Sequence, residues 1–304
     1  MCAKLPNFIV AGFPKCGSTS LYYYLYEHPE IFLPKQKELH YFTYDIIVNL
    51  DAGKNDKEIK EFHVGSLSEY KNCYKDVTTE IAIGDVSPSY ANYPEIIPKI
   101  SKTLGAETKV IIILRDPIKR AYSNYLHLVR ENREDLSFYE ALKQEEQRKK
   151  EGYSDFWYYT YNSLYYEKIK KIKETFNKVL IITFEEFIQD TEKGIVDVYS
   201  FLGVRKDFIP KNLNTQFNPG GVYKKNAITN FIFKQSKLKS IIKKTIPIST
   251  PIKKLKIKLI KNYKEPTPKI DELSEKYLLN KFHEDVNKLK EEFGVKTAYW
   301  NKDF

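Results

Sequence analysis

Gly12-Phe13-Pro14-Lys15-Cys16-Gly17-Ser18-Thr19 decides how the chain is read, because of what stands on either side of it. Residues 7–13 (NFIVAGF) read as a short buried strand, and residues 19–27 as a helix that starts straight off the loop. Two glycines five positions apart let the backbone turn tightly, so that several N–H groups point at one anion. The helix behind adds its N-terminal dipole and its own free donors. Ser18 and Thr19 bring hydroxyls to the place where phosphate oxygens would sit. A Walker-type loop puts its lysine directly after the second glycine; here Ser18 holds that place and Lys15 stands inside the loop. Stripped of its flanks, the octapeptide is also an ordinary strand–helix turn with an exposed lysine.

Outward from the loop, strands and helices alternate. Residues 82–86 are a short strand candidate followed by the turn Ser87-Pro88-Ser89. Residues 109–114 (KVIIIL) are the clearest buried strand, and residues 179–183 (VLIIT) a further one. The run 110–114 ends in Arg115, a phosphate binder, before it reaches Asp116, so no acidic strand end offers itself to magnesium. Pro117 suits a first helical position, and that helix runs to about Arg130. Ser137 and Glu140 resemble a capping box opening a helix that lasts to Lys150. Further helices are predicted over 156–176, over 185–202 with Gly203 as the stop, and over 270–293. This alternation predicts an α/β fold: a P-loop-like parallel sheet flanked by helices, with a helical C-terminal extension. A single domain over 1–304 is expected, with a basic helical insertion at 226–264 and a C-terminal helix within 265–304.

The composition narrows the partners. Hydrophobic residues make up 42% of the 304, enough for a sizeable core, and 24 tyrosines supply rings that pack inward and hydroxyls that reach out. A formal charge of +10 suits an anionic partner without choosing among anions. Cys2, Cys16 and Cys73 lie far apart, with no metal-ligand spacing, and fit a reducing compartment. The N-terminus enters a strand too early for a signal peptide, and no apolar run approaches the roughly 20 residues of a spanning helix. A cytoplasmic protein without a metal is expected. In residues 234–264, isoleucine, leucine and lysine interleave, which fits either helices packed on the domain or peripheral contact with an anionic membrane.

Four segments occur in a telling order. Pro14-Lys15-Cys16-Gly17-Ser18-Thr19-Ser20-Leu21 resembles the 5′-phosphosulfate loop of the sulfotransferases. Lys37-Glu38-Leu39-His40-Tyr41-Phe42 is similar to the family's Lys-Glu-x-His-Phe-Phe segment, and Asp85-Val86-Ser87-Pro88-Ser89-Tyr90 to its Glu-x-Ser-Pro-x-Tyr turn. Leu114–Ser123 (LRDPIKRAYS) resembles its 3′-phosphate motif. Weaker likeness extends through Phe184-Glu185-Glu186-Phe187, Phe201-Leu202-Gly203 and Tyr299-Trp300. The nearest branch contains the heparan sulfate and other carbohydrate sulfotransferases.

The resemblance implies an enzyme that moves a sulfuryl group from 3′-phosphoadenosine 5′-phosphosulfate to a hydroxyl or amine. The acceptor it implies is a carbohydrate or lipid-linked sugar, not a nucleic acid. Lys15 then stabilises charge on the leaving oxygen, Glu38 is the general base, and His40 orients the acceptor or replaces Glu38. Lys15, Cys16, Gly17, Ser18, Thr19 and Ser20 hold the 5′ end of the donor, and Arg115 and Ser123 its 3′-phosphate. Gly220-Gly221-Val222-Tyr223-Lys224-Lys225 closes over the nucleotide. Arg120 is read as structural or surface. Cys16 is either a thiol with a lowered pKa in an electropositive loop or a small filler. Glu38 and His40 would otherwise be a surface ion pair in a lysine-rich stretch. One departure stands out: heparan sulfate members carry a lysine where this chain has Val86, which removes a cation and weakens the case for heparan sulfate itself. A P-loop nucleotide kinase or phosphotransferase shares the loop, and a non-catalytic anion-binding module would explain the charge.

Overall fold

The computed structural model describes residues 4–59, 63–213, 215, 217, 220–224, 229 and 262–304. Five parallel strands form its centre: β1 (Phe8–Val10), β2 (Ile31–Phe32), β3 (Ala82–Val86), β4 (Lys109–Leu114) and β5 (Val179–Thr183). Their order is β2-β3-β1-β4-β5. Val10 lies opposite Val86 on one side and Ile111 on the other, and Leu114 lies opposite Thr183. β1 and β3 are buried throughout, and β4 is buried beyond its first residue. Continuous apolar runs of this kind belong to a sheet covered on both faces.

Helices fill the connections. α1 (Ser18–Tyr26) follows β1; α2 (Tyr44–Ile47), α3 (Asp56–Ile59) and α4 (Leu67–Asn72) lie between β2 and β3; α5 (Ile97–Leu104) precedes β4. Between β4 and β5 come α6 (Pro117–Arg130), α7 (Phe138–Lys143), α8 (Glu145–Lys150) and α9 (Tyr166–Thr175). α10 (Phe184–Gln189) and α11 (Thr191–Leu202) follow β5. The strands β6 (Val222–Tyr223) and β7 (Lys264–Glu265) pair antiparallel, and α12 (Glu272–Phe293) comes last. α12 buries Leu278, Phe282, Val286 and Leu289, one stripe at helical spacing. No helix among the described residues is long and apolar enough to cross a membrane.

The sheet order positions the site. The chain moves from β1 to one flank, then crosses β1 to reach β4 on the other. Connections on the two sides of β1 therefore diverge, and the loops at the carboxyl ends of β1, β3 and β4 border a shared crevice. Open α/β sheets take their ligands there.

Three predicted helices need correction. Only Tyr166–Thr175 of the segment 156–176 is α-helical; Asp155–Trp157 and Tyr161–Ser163 are single 3₁₀ turns. Side chains from elsewhere claim the backbone groups that a helix would bond internally. Glu145 accepts from the N–H groups of Thr160 and Tyr161 at 2.7 Å each, the Asn124 amide donates to Phe156 O at 2.7 Å, and Arg120 donates to Tyr159 O at 2.9 Å. Trp157, Tyr158 and Tyr159 are all buried, which a one-faced helix does not allow. The helix predicted over 185–202 splits at Asp190, whose carboxylate caps α11 through Lys193 N–H at 3.0 Å, and Gly203 ends α11 at φ 77°. The helix opened by the Ser137–Glu140 capping box breaks at Gln144. Of the insertion expected at 226–264, all but residues 229 and 262–264 lies outside the described residues.

Candidate active site

The loop between β1 and α1 is shaped by two close approaches. A Cβ on Gly12 would come within 2.5 Å of the Ile113 backbone nitrogen, so only glycine lets the chain leave β1 against β4. Gly17 sits at φ 94°, where a Cβ would also strike the Phe184 ring at 2.7 Å. Gly17 is the N-cap of α1, with no side-chain cap and no acidic residue in the first turn. The backbone N–H groups of Cys16, Gly17 and Ser18 find no acceptor among the described residues. An uncapped nine-residue helix behind a ring of free donors is the arrangement that binds an anion.

The side chains of the loop divide. Lys15 adopts φ 72°, a left-handed conformation uncommon for a residue with a Cβ. Burial drives its ammonium down to about 7, helped by the charges of Arg130, Arg115 and Arg120 and opposed by Glu131. Cys16 is fully buried, with its thiol 3.9 Å from Pro14 O, and burial pushes it up to about 12. It is a buried filler, not an activated thiol. The Ser18 side chain is likewise buried, and the Ser20 hydroxyl meets Tyr24.

From the end of β4, Arg115 reaches across to Lys15 O at 3.1 Å and lies over the Phe184 ring at 5.1 Å. Its Nε is buried with no hydrogen-bond partner. A cation with a donor left over beside a donor-rich loop fits an anionic ligand. Arg120 points the other way and is fully buried. It bonds Ser163 Oγ at 2.6 Å, Tyr159 O at 2.9 Å, Asn124 Oδ1 at 3.1 Å and Pro14 O at 3.3 Å, and so bolts the loop to α6. The half-buried Ser123 hydroxyl bonds nothing among the described residues. Arg130 lies two turns along α6 from Ser123, with its guanidinium 2.6 Å from His127 Nδ1. It exerts the largest single charge on Lys15, and the sequence reading missed it. Its signal was the seven-residue spacing from Ser123, which returns to the same helix face.

Glu38 and His40 lie on the stretch after β2 and dock against the end of β3. Glu38 N–H donates to Val86 O at 3.1 Å, and His40 N–H to Ser87 Oγ at 3.2 Å. Both take positive φ, 65° and 54°. Burial pushes the Glu38 carboxyl up, but Lys37, in direct contact with it, and His40 more than offset this and leave it below its usual range. His40 shares a 2.7 Å hydrogen bond through Nδ1 with Ser89 Oγ, which also meets Thr43 Oγ1 at 3.0 Å. Its Nε2 is 3.9 Å from Glu38, and burial drives the ring down to about 4. His63 packs on His40 with ring centroids 4.4 Å apart. That residue comes from an irregular segment and gave no pattern to read.

Val86, at the position of the missing lysine, is buried. Asp85 beside it accepts from Ser87 Oγ (2.7 Å), Tyr90 Oη (2.7 Å) and Tyr70 Oη (2.9 Å), which fixes the turn that carries Ser87 and Ser89. Tyr223 is buried in β6, which packs on α6 close to Arg130. Lys224 is exposed, with its N–H on Tyr263 O at 2.9 Å, and Lys225 lies outside the described residues. No group of three or more His, Cys, Asp or Glu placed to hold a metal occurs among the described residues.

A family model described as the sulfotransferase domain matches residues 5–244. The membrane-associated sulfotransferase kil1 of Dictyostelium discoideum is 33% identical over 124 residues, 40% of this chain and 22% of the relative. Carbohydrate sulfotransferase 15 of Mus musculus is 30% identical over 168 residues, 45% of this chain and 30% of the relative. The chain thus spans less than a third of either curated relative. The crystal structure of a sulfotransferase from Alicyclobacillus acidocaldarius superposes with a TM-score of 0.76 at 28% identity, covering 98% of this chain and 99% of that one.

Proposed function

The chain belongs to the sulfotransferase domain family, and from that premise we propose that it moves a sulfuryl group from 3′-phosphoadenosine 5′-phosphosulfate to a carbohydrate acceptor. One observation carries the reading. Lys15 and Arg115 follow the adjacent strands β1 and β4 and are joined by Arg115 to Lys15 O at 3.1 Å, while Glu38, on the stretch after β2, docks on the end of the neighbouring β3 through its N–H to Val86 O at 3.1 Å.

The donor supplies a sulfur–oxygen bond whose bridging oxygen departs with the phosphate. The free N–H groups of residues 16–18 and the start of α1 hold the 5′ end. The Lys15 ammonium meets the charge that grows on the departing oxygen. Arg115, with its spare Nε, and Ser123, with its free hydroxyl, take the 3′-phosphate. Glu38, ionised at neutral pH by its neighbours, removes the proton of the acceptor. His40, neutral and held through Nδ1, orients that acceptor.

The acceptor class is supported by the carbohydrate sulfotransferases among the relatives, and a lipid-linked sugar belongs to the same proposal. The cytoplasm is the proposed place of action. Membrane contact through 234–264 falls almost wholly outside the described residues; its support is the lysine–isoleucine pattern and a relative named as membrane-associated. A single domain over 1–304 is proposed on the same footing.

Incubation with radiolabelled sulfate donor and a panel of carbohydrate and lipid-linked acceptors tests the reading. Label should move to an acceptor, and Lys15→Ala should abolish the transfer. Phosphate transfer from ATP with magnesium, and none of sulfate, would replace the reading with a kinase.

A further inference from the structure

The loop that carries Arg115 is braced from the far end of the chain. Asp116, fully buried, spends one carboxylate oxygen on the start of α6, accepting from Ile118 N–H at 2.9 Å and Lys119 N–H at 3.1 Å. Its other oxygen accepts from Asn301 N–H at 2.9 Å. The Asp116 N–H donates to Glu185 Oε1 at 3.1 Å, and the second oxygen of that carboxylate accepts from the indole of Trp300 at 3.1 Å. Trp300 is buried against Tyr165, whose hydroxyl donates to Arg115 O at 2.9 Å. The peptide around Arg115 is therefore fixed by groups 50, 69 and 185 residues away in sequence. None of these groups hydrogen-bonds the guanidinium, although the Arg115 charge is felt by the Glu185 carboxylate.

This closed set of bonds has a directional consequence. The Arg115 side chain is held at one nitrogen by Lys15 O and at its face by Phe184, and its Nε is free. Its aim therefore depends on where its own backbone sits as well as on these two contacts. Glu185 is the pivot: one oxygen holds the peptide after Arg115, and the other is held by Trp300. Remove the indole N–H and that carboxylate, whose pKa burial already pushes up, loses a donor and relaxes toward the nearest substitute.

We propose that Trp300 is a positioning residue for the 3′-phosphate subsite, acting through Glu185 on the peptide that aims Arg115. The inference rests on the donor assignment above. Trp300→Phe keeps the ring and deletes the hydrogen bond. Binding of adenosine 3′,5′-bisphosphate and of adenosine 5′-monophosphate, which lacks the 3′-phosphate, is measured by calorimetry and competition on wild type and variant. Wild type should prefer the bisphosphate. The variant should bind it about tenfold more weakly and bind the monophosphate unchanged. Glu185→Gln supplies the same comparison should the tryptophan variant fold poorly, and should show the same selectivity. Equal weakening toward both nucleotides would reduce Trp300 to general support of the fold, and no change toward either would break the link to Arg115; each outcome overturns the inference. A wild type indifferent to the 3′-phosphate is a different failure, and it overturns the donor assignment and the inference together.

Discussion

Lys15 unites an unfavourable backbone with an unfavourable charge. It stands at φ 72° in a loop that already faces Arg115, Arg120 and Arg130, and its ammonium is driven down to about 7. Such strain persists at a site where the surroundings over-determine it. In the free protein the unfolded chain binds the extra proton from about pH 7 up to 10.5, so stability rises with pH across that window. An anionic nucleotide reverses the preference by favouring the charged form. Binding of adenosine 3′,5′-bisphosphate should therefore take up a proton just above pH 7, and affinity should fall as pH rises further. Calorimetry in buffers of different ionisation enthalpy reads that proton, and Lys15→Arg should remove it. Glu38 works in the opposite direction. Held below its usual range, it is a weak base that is ionised throughout the neutral range, so the acid limb of turnover should lie below the ordinary carboxylate value. Glu38→Gln should cost about 10²–10⁴ in turnover and leave nucleotide binding alone. A larger loss in His40→Ala would shift the base to the histidine. All three residues were legible, because each stands in a motif. Their shared positive φ was not, since nothing in a side chain's identity announces the backbone that carries it.

At the scale of elements, what was legible followed from local signals. Lys109–Leu114 and Val179–Thr183 are runs rich in β-branched residues and Ala82–Val86 is a short stretch set off by the Ser-Pro-Ser turn, and the structure keeps all three bounds. α6 starts at Pro117 because Asp116 and Pro117 form a start signal on their own. Residues 155–163 were misread because their conformation is imposed by Glu145, Asn124 and Arg120, which no local window contains. Arg120 is the central member. Its guanidinium joins the donor loop at Pro14 O, helix α6 at Asn124 and the 3₁₀ segment at Tyr159 and Ser163. Arg120→Ala strands several buried acceptors, each worth about 1–3 kcal/mol when left unpaired. A loss of about 3 kcal/mol or more should follow, read as a lower midpoint in urea. Arg120→Lys should not restore it, because an ammonium cannot span the fork that guanidinium fills.

Across the whole molecule, the site is a product of topology. Residues 15 and 115 meet because β1 lies beside β4, and residue 38, on the stretch after β2, is brought to the same edge of the sheet by its hydrogen bond to Val86 at the end of β3. The formal charge of +10 belongs to a different order of effect, a diffuse field that draws any anion and is screened over about 10 Å at 0.1 M salt. Thermal stability can separate the two. A ligand that binds only the folded state at a hundredfold excess over its Kd adds about 2.7 kcal/mol. At about 2 °C per kcal/mol for a large domain, that is a rise of about 5 °C in Tm. Adenosine 3′,5′-bisphosphate should produce such a rise without magnesium and should retain most of it in moderate salt, because its contacts are half-buried groups of fixed geometry. Inorganic sulfate at matched ionic strength engages the field and only part of the site, so its smaller effect should fade as salt is added. ATP lacks the 3′-phosphate for Arg115 and Ser123 and should fall between them, with magnesium adding nothing. A ranking with ATP and magnesium first would move the chemistry to phosphoryl transfer. Equal responses to all three anions would leave the crevice as a general anion trap and remove the case for a dedicated nucleotide donor.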